Sequence, residues 1–542
     1  MHLSISFVVI VGFVFQGRGV SADDVIDTGY VKYQGNRTFS NAVAYLGIPY
    51  AEPPTGQRRF RAPLPLNTTR ITLTQAMNGN VVDATKYPDF CIQGPIGTEQ
   101  GGAGSEDCLK VNIYTPVGAH EGSDFPVLVY FHGGGFTFGN PRSWPFDHWV
   151  QENPNVIIVS VYYRLSSFGF MAVPEFRDSS LGDFNAGLQD QIQALRWVNK
   201  YISRFGGDAS KVTINGQSSG GGSVQLHLLF TDIREALFRS AIAQSAPRRP
   251  VPTPEQQKPL FDFYAQKAGC GAGSVETKLA CLRSASVSTL ARAQEASLAS
   301  TYTATPYKSF QPILDGVIIT NHPTPALKAG HYARIPFIIG STTNETLVGG
   351  PDIPSAWKKF CPGIIDEDVD NLLALYPSPD FVAEALRQQT AAGDFSIRCT
   401  RTIMASEYSK NVPTWTYRYN QRDPTNPSLG VEHAAENWLM FLGSTISFNG
   451  SVTFTGLTPT ENSFASELIA YWLSFVRTGN PNTHKLSRSP VWNGYNETLR
   501  YRNVLQQDPA GSTTRTGIFL EQEVNLEIER CTVAGSQTSQ EN

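Results

Sequence analysis

The strongest chemical signal in the chain is Gly216-Gln217-Ser218-Ser219-Gly220. The β-branched run Lys211-Val212-Thr213-Ile214 leads into it, and the apolar Ser223-Val224-Gln225-Leu226-His227-Leu228-Leu229 leads away. A strand that passes at once into a helix must bend sharply, and flanking glycines remove the Cβ clashes that would forbid the bend. The pattern predicts a nucleophile elbow, with Ser218 held out from a sheet edge ahead of a helix N-terminus. A serine so placed can attack a carbonyl carbon. It then needs a base for its proton, an acid to orient that base, and donors for the oxyanion.

The donors are read in His132-Gly133-Gly134-Gly135-Phe136, directly after the strand-like Pro126-Val127-Leu128-Val129-Tyr130-Phe131. Only glycines let successive backbone N–H groups approach one ligand oxygen so closely, and the N–H of Ser219 is the expected second source. Nine histidines compete for the base. His433, in Gly430-Val431-Glu432-His433-Ala434-Ala435-Glu436, follows a sheet signal at 414–419, so a loop at the sheet edge can present it. Glu345, in Gly340-Ser341-Thr342-Thr343-Asn344-Glu345, lies just past another strand signal at 335–340. Ser218, Glu345 and His433 run serine, acid, histidine, which is the α/β-hydrolase order.

Such residues need a sheet whose strands end on one side. Strand signals at 42–49, 126–131, 155–161, 211–217 and 241–244 alternate with helical ones. From Asp183 to Phe205, Leu188, Ile192, Leu195, Val198 and Ile202 make one apolar stripe, and Glu461 to Thr478 carries Phe464, Leu468, Trp472 and Phe475 before a stop at Gly479. Alternation of this kind predicts an α/β fold with a mainly parallel central sheet covered by helices on both faces. Residues 252–305 read as a helical insertion over it. No internal repeat, Pro-rich linker or charge block divides the chain, so one domain is expected over 23–535, with a polar tail at 536–542.

Composition narrows the function classes. The 43 basic and 47 acidic residues leave a net charge of -4 with no polybasic run, which predicts neither nucleic-acid nor membrane-surface binding. Leu3 to Phe15 is almost wholly apolar and ends in Val20-Ser21-Ala22, so residues 1–22 read as a secretory signal, although without a Lys or Arg in its first part. The expected location is extracellular. No later stretch is long and apolar enough to span a bilayer, and Gln537 to Asn542 carries no lipidation signal. Seven cysteines in a secreted chain suggest disulfides and one spare thiol. Cys91 with Cys108 and Cys270 with Cys281 can close local loops; Cys361, Cys399 and Cys531 cannot be sorted by spacing. Sequons at Asn36, Asn67, Asn449 and Asn496 are candidate glycan sites on surface loops, and Asn344 opens a fifth. No G-x-G-x-x-G, P-loop, H-E-x-x-H or zinc-spaced cluster occurs, so neither metal nor organic cofactor is expected.

Taken together, Glu106-Asp107-Cys108-Leu109-Lys110-Val111-Asn112-Ile113-Tyr114, His132 to Phe136, Phe205-Gly206-Gly207-Asp208 and Gly216 to Gly220 resemble the type-B carboxylesterase and lipase family, which includes cholinesterases. The likeness extends from about Asp27 to Cys531. It implies an α/β-hydrolase fold and carboxylic ester hydrolysis, with Ser218 as nucleophile, Glu345 as acid, His433 as base, and Gly134, Gly135 and Ser219 as oxyanion donors. It also implies the bridges Cys91–Cys108, Cys270–Cys281 and Cys399–Cys531, leaving Cys361 free. Gln217 stands where the family usually has Glu, Ser219 where it has Ala, and Thr346 where it has Gly. Because a catalytic acid must be enclosed, Asn344 is expected to carry no glycan.

In lipases of this family the first disulfide closes a long apolar lid, and in cholinesterases the same loop carries a tryptophan for choline. Between Cys91 and Cys108 this chain is short, rich in glycine and without an aromatic residue. The expected substrates are therefore soluble short- to medium-chain carboxylic esters. The alternatives are a lipase or sterol esterase on long-chain lipid esters, or a non-catalytic neuroligin-like adhesion module. The oligomeric state is not legible.

Overall fold

The computed structural model describes residues 24–37, 39–78, 81–94, 104–231, 235–299, 302–345, 349–426, 430–446, 452–537 and 539–541. The expected leader at 1–22, the sequon at Asn449, Thr346 and the glycines at 97, 101 and 102 lie outside the described residues. One sheet of ten strands organises the chain: β1 (Ala42–Pro49), β2 (Lys110–Pro116), β3 (Phe125–Phe131), β4 (Ile157–Val161), β5 (Gly207–Gln217), β6 (Ser240–Gln244), β7 (Phe337–Thr342), β8 (Thr414–Tyr419), β9 (Tyr501–Leu505) and β10 (Phe519–Gln522). Their spatial order is β10-β9-β8-β7-β6-β5-β3-β4-β2-β1. Every pairing from β9 to β4 is parallel. The edges are antiparallel, β10 on one side and β2 with β1 on the other.

The continuous apolar runs follow from this placement, because successive side chains of a central strand serve two covered faces. Val127, Val129 and Phe131 enter one core with Val159, Ile214, Ala243 and Ile339. Leu128 and Tyr130, one step out of phase, enter the other with Ile158, Ile242 and Ile338. On the first face lie α1 (Ala186–Tyr201), α2 (Ser219–Phe230) and, further along, Cys399–Ser409. The α1 stripe is buried as its spacing predicts, although Ile202 falls in a 3-10 turn that ends the helix. In sequence between the two sheet halves, α3 (Pro254–Lys267), α4 (Val275–Ser284) and α5 (Val287–Ala296) form the helical insertion, packed in a third core that they share with Phe60, Phe136 and the segment from Tyr163 to Phe176.

The second face belongs to α6 (Pro459–Thr478), which buries Phe464, Leu468, Trp472 and Phe475. Its ends are specified locally. Thr458 accepts from the Glu461 N–H while Glu461 reaches back to the Thr458 N–H at 2.7 Å, a capping box, and Gly479 stops the helix at φ 71°.

Three disulfides join Cys91 to Cys108, Cys270 to Cys281 and Cys399 to Cys531, and the Cys361 thiol is buried and free. The polar segment expected at 536–542 is tied to the fold through Glu541. Glu541 is buried and accepts from Arg248 Nε at 3.1 Å and from the Thr324 N–H at 2.9 Å, while its carbonyl accepts from Val251 N–H at 2.8 Å. A carboxylate enters such a site only with a cation to meet it, and Arg248 is that cation. Of the candidate sequons, Asn67 and Asn496 are exposed. Asn36 departs from a free surface loop: it is half-buried, bridges to Ala44 and donates its amide to the Thr85 carbonyl at 3.1 Å. Among the described residues no helix is long and apolar enough to cross a membrane.

Candidate active site

Because β3, β5, β7 and β8 run parallel, the loops that leave them emerge at one edge of the sheet. Those loops bring together residues that lie far apart in sequence. At the end of β5, Ser218 takes φ 59° and ψ -125°, a conformation costly for a residue with a side chain. Its N–H donates to the Gln244 carbonyl at 2.9 Å and its carbonyl accepts from Gly222 N–H at 2.8 Å, which holds the bend. The flanking glycines are obligatory. A Cβ on Gly216 would lie 2.4 Å from the Gly220 backbone, and one on Gly220 would lie 2.0 Å from the Phe131 carbonyl oxygen.

Ser218 Oγ lies 2.8 Å from His433 Nε2, and His433 Nδ1 lies 2.5 Å from Glu345 Oε2. The other oxygen of Glu345 accepts from the Thr342 N–H at 2.8 Å and from the Ser245 hydroxyl. Two loops are thereby clamped to each other. Asn344 Oδ1 accepts from Val431 N–H at 2.7 Å and the Asn344 N–H donates to the Val431 carbonyl at 3.0 Å, so the acid loop and the histidine loop share a seam. The Asn344 amide nitrogen donates in turn to Gln389 at 3.2 Å.

The glycine loop after β3 is held beside this row. Gly134 sits at φ 110°, its carbonyl accepts from the Thr137 and Phe138 N–H groups at 3.0 Å each, and a Cβ there would strike the Phe138 carbonyl at 2.0 Å. Among the described residues no acceptor meets the N–H of Gly134, Gly135 or Ser219. The described part of the first disulfide loop braces the turn from outside: Gln93 exchanges hydrogen bonds with the Gly139 backbone at 2.6 and 3.1 Å, and Gly94 N–H donates to the Thr137 carbonyl. His132 is a packing residue. It stacks on Tyr163 with ring centroids 4.5 Å apart, and burial pushes its imidazole down to about 4, so it stays neutral.

Burial would push the Glu345 carboxyl up, but the His433 charge and the hydrogen bonds from His433, Ser245 and Thr342 hold it below the ordinary glutamate range. Glu345 is therefore an anion poised against an imidazole that touches a serine hydroxyl. Chemically the row can pass the serine proton to Nε2 and stabilise the imidazolium that results. Above it opens a cleft of about 480 Å³, lined by Gly133, Gly134, Ser218 and His433 at its base and by Trp144, Trp438, Arg249 and Asp423 on its walls. The rings of Trp144 and Trp438 come from segments outside the first disulfide loop, so an aromatic wall exists where that loop alone predicts none. Gln217 also faces the cleft, and its Oε1 accepts from Asn437 at 3.3 Å. Among the described residues no group of three or more His, Cys, Asp or Glu side chains is placed to hold a metal ion.

Ser245, Glu436 and Arg249 escape the sequence analysis. Ser245 follows β6 as the elbow serine follows β5, which is the one signal that could have drawn notice. Glu436, three residues beyond His433, is buried with both carboxyl oxygens unpaired among the described residues, and burial together with the nearby Glu345 charge pushes it up to about 7. Nothing in its own segment distinguishes it from a solvated glutamate.

A mostly parallel sheet with helices on both faces, carrying a serine elbow and a clamped histidine–glutamate pair at its strand ends, defines an α/β-hydrolase. Comparison with known proteins narrows the class. The sequence model of the Carboxylesterase family matches residues 23–361 and 365–524. Acetylcholinesterase of Bungarus fasciatus is 30% identical over 83% of this chain and 77% of its own length, and Lipase 1 of Geotrichum candidum is 30% identical over 90% and 92%. The crystal structure of Aspergillus niger EstA superposes with a TM-score of 0.82 at 28% identity, covering 96% of this chain and 99% of that one. The chain belongs to the carboxylesterase family, and it is a carboxylic ester hydrolase of the esterase and lipase type.

Proposed function

We propose that the protein is a secreted serine carboxylesterase that works through an acyl-enzyme. Ser218 is the nucleophile, His433 the general base and then acid, Glu345 the carboxylate that orients it, and the N–H groups of Gly134, Gly135 and Ser219 the oxyanion donors. With the ring proton on Nδ1 and donated to Glu345, His433 Nε2 accepts the Ser218 proton as Oγ attacks the ester carbonyl. The oxyanion moves towards the three N–H groups, the alcohol leaves with the proton from Nε2, and water repeats the sequence on the acyl-enzyme. The observation that carries this reading is the unbroken contact from Ser218 Oγ through His433 to Glu345 at the base of the cleft.

Soluble short- to medium-chain esters are the favoured substrates. The support is that the Cys91 end of the first disulfide loop is spent on bracing the oxyanion turn through Gln93 and Gly94, an attachment that a mobile apolar lid would have to break. The test is hydrolysis of p-nitrophenyl esters from acetate to palmitate by the wild type and by Ser218→Ala. Loss of about 10⁶-fold in kcat in the variant, with a wild-type optimum at short chains, is expected. Equal rates in the two proteins would remove Ser218 from the mechanism, and a long-chain optimum above substrate solubility would return the lipase reading.

A further inference from the structure

Two arginines stand side by side after β6, and the structure treats them oppositely. Arg248 is spent on the fold: its guanidinium meets the Glu541 carboxylate and the carbonyls of Ala534 at 2.7 Å and Gln537 at 3.0 Å. The other buried arginines also have carboxylates, Arg59 with Glu106, Arg164 with Asp190, Arg401 with Glu523, Arg502 with Glu527 and Arg530 with Asp394. Arg249 has none. Its Nε is buried without a partner, and among the described residues its guanidinium makes no hydrogen bond or ion pair. Arg249 is half-buried, and burial pushes its pKa down with no anion in exchange. The Phe360 ring, 6.0 Å from Cζ, is at the far edge of a cation–π contact and supplies no acceptor.

This unpaired cation faces the chemistry. Arg249 lines the active-site cleft, and its Nη2 lies 3.2 Å from where a Cβ on Gly135 would stand, beside an N–H proposed to meet the oxyanion. Its Cα is fixed from both sides, by the Arg248 anchor and by the Val251 N–H on the Glu541 carbonyl. On its other side the same residue borders a small recess lined by Phe136, Leu226, Pro247 and Pro250. Among the described residues the one carboxylate on the cleft wall, Asp423, makes no ion pair with it, and accepts instead from the Thr425 N–H and hydroxyl at 2.8 and 2.7 Å. A planar guanidinium with free N–H groups is built to take a carboxylate in a two-pronged grip.

We propose that Arg249 is a specificity residue that binds a carboxylate carried by the ester substrate itself, so that the preferred substrates are acidic esters such as half-esters of short dicarboxylic acids. This rests on the ester-hydrolase reading of the same cleft. Water cleaves the ester bond by way of the Ser218 acyl-enzyme; a carboxylate on the acyl side gives a dicarboxylate and an alcohol, one on the alcohol side gives a monocarboxylate and a hydroxycarboxylate, and either releases one proton, which a pH-stat counts.

The experiment pairs each acidic ester with a neutral one of the same shape. Monoethyl succinate is compared with ethyl 4-methylpentanoate for a carboxylate on the acyl side, and 3-acetoxypropionate with isoamyl acetate for one on the alcohol side. The wild type should favour the acidic member of one pair in kcat/KM, and that pair identifies the end of the substrate that Arg249 meets. In Arg249→Met the ratio of acidic to neutral kcat/KM should fall about 10- to 100-fold, the range of a hydrogen-bonded charge pair, with Arg249→Lys in between. Calorimetric titration with glutarate gives a second reading that needs no turnover: binding should be measurable in the wild type and lost in Arg249→Met. A wild type that cleaves the neutral esters but prefers neither acidic one, or an unchanged ratio in the variant, would overturn the assignment while leaving the esterase reading intact. If no ester is cleaved, that reading fails, and glutarate binding decides the role of Arg249 alone.

Discussion

Glu345 and Glu436 are two glutamates within one sheet edge, with 0% and 1% of their surfaces exposed, yet they stand on opposite sides of the ordinary carboxyl range. Burial pushes both up, and the difference lies in what each meets. Glu345 accepts from Ser245, from Thr342 N–H and from His433, and stays charged. Glu436 faces the hydroxyls of Tyr130, Tyr417 and Tyr419, none of which bonds to it, and is pushed up to about 7. Depth therefore does not decide whether a carboxyl at this edge is an anion; the donors and charges around it do.

The largest effect should come from removing the charge that those donors sustain. In Glu345→Gln the new amide donates to Nδ1, which moves the imidazole proton to Nε2, where it can no longer take the proton of Ser218. A fall of about 10⁴-fold in kcat is expected from steady-state rates, with a lower melting temperature at pH 7 because the stability contributed by the charged carboxyl goes with it. Activity within tenfold of wild type would show that the row of contacts is structural. Glu436 should answer through stability instead. Its folded pKa lies above its unfolded value, so its contribution is complete below the ordinary value of 4.5 and is lost as pH rises through about 7. The wild type should lose on the order of 3 kcal/mol between pH 4.5 and 8 by this route, and Glu436→Gln should not. Parallel unfolding curves for the two proteins across that range would mean that Glu436 is not the unpaired acid its contacts describe.

How much of this was legible follows the same line. Ser218, Gly134 and Gly135 can be found in the sequence because a bend or a close approach dictates their residue types, and the sheet because a strand covered on both faces must be apolar at every position. His433 and Glu345 are legible only through chain order and family resemblance, since a histidine or glutamate in a loop has no local mark. Glu436 and Arg249 are not legible at all, and Ser245 only by its place after a strand. Arg248 and Arg249 are adjacent and identical in type, and only the return of Glu541 from 293 residues away separates them. The anchoring of the polar C-terminal segment is illegible for the same reason: composition reports whether a segment can be solvated, not whether a buried arginine awaits it.

The smallest of these effects is also the sharpest probe of the contrast. Ser245→Ala removes one of two donors from the inner oxygen of Glu345 and leaves Thr342 N–H in place, so a loss of about 1.5 kcal/mol at pH 7 is expected, the low end for a hydrogen bond to a charged group. The folded pKa of Glu345 is depressed, so the stability it contributes is present above the ordinary value of 4.5 and lost as pH falls through the folded one. With one donor gone the carboxyl rises, so the loss, which starts near 4.5 in both proteins, should be smaller and complete at a higher pH than in the wild type. The difference between the two melting curves should then narrow in acid, where both proteins hold a protonated Glu345. If Ser245 acts through the Glu345 charge, its removal should cost much less in a Glu345→Gln background than in the wild type. Equal costs in both backgrounds would make Ser245 an ordinary packing residue, and would leave His433 and Thr342 as the donors that keep Glu345 apart from Glu436.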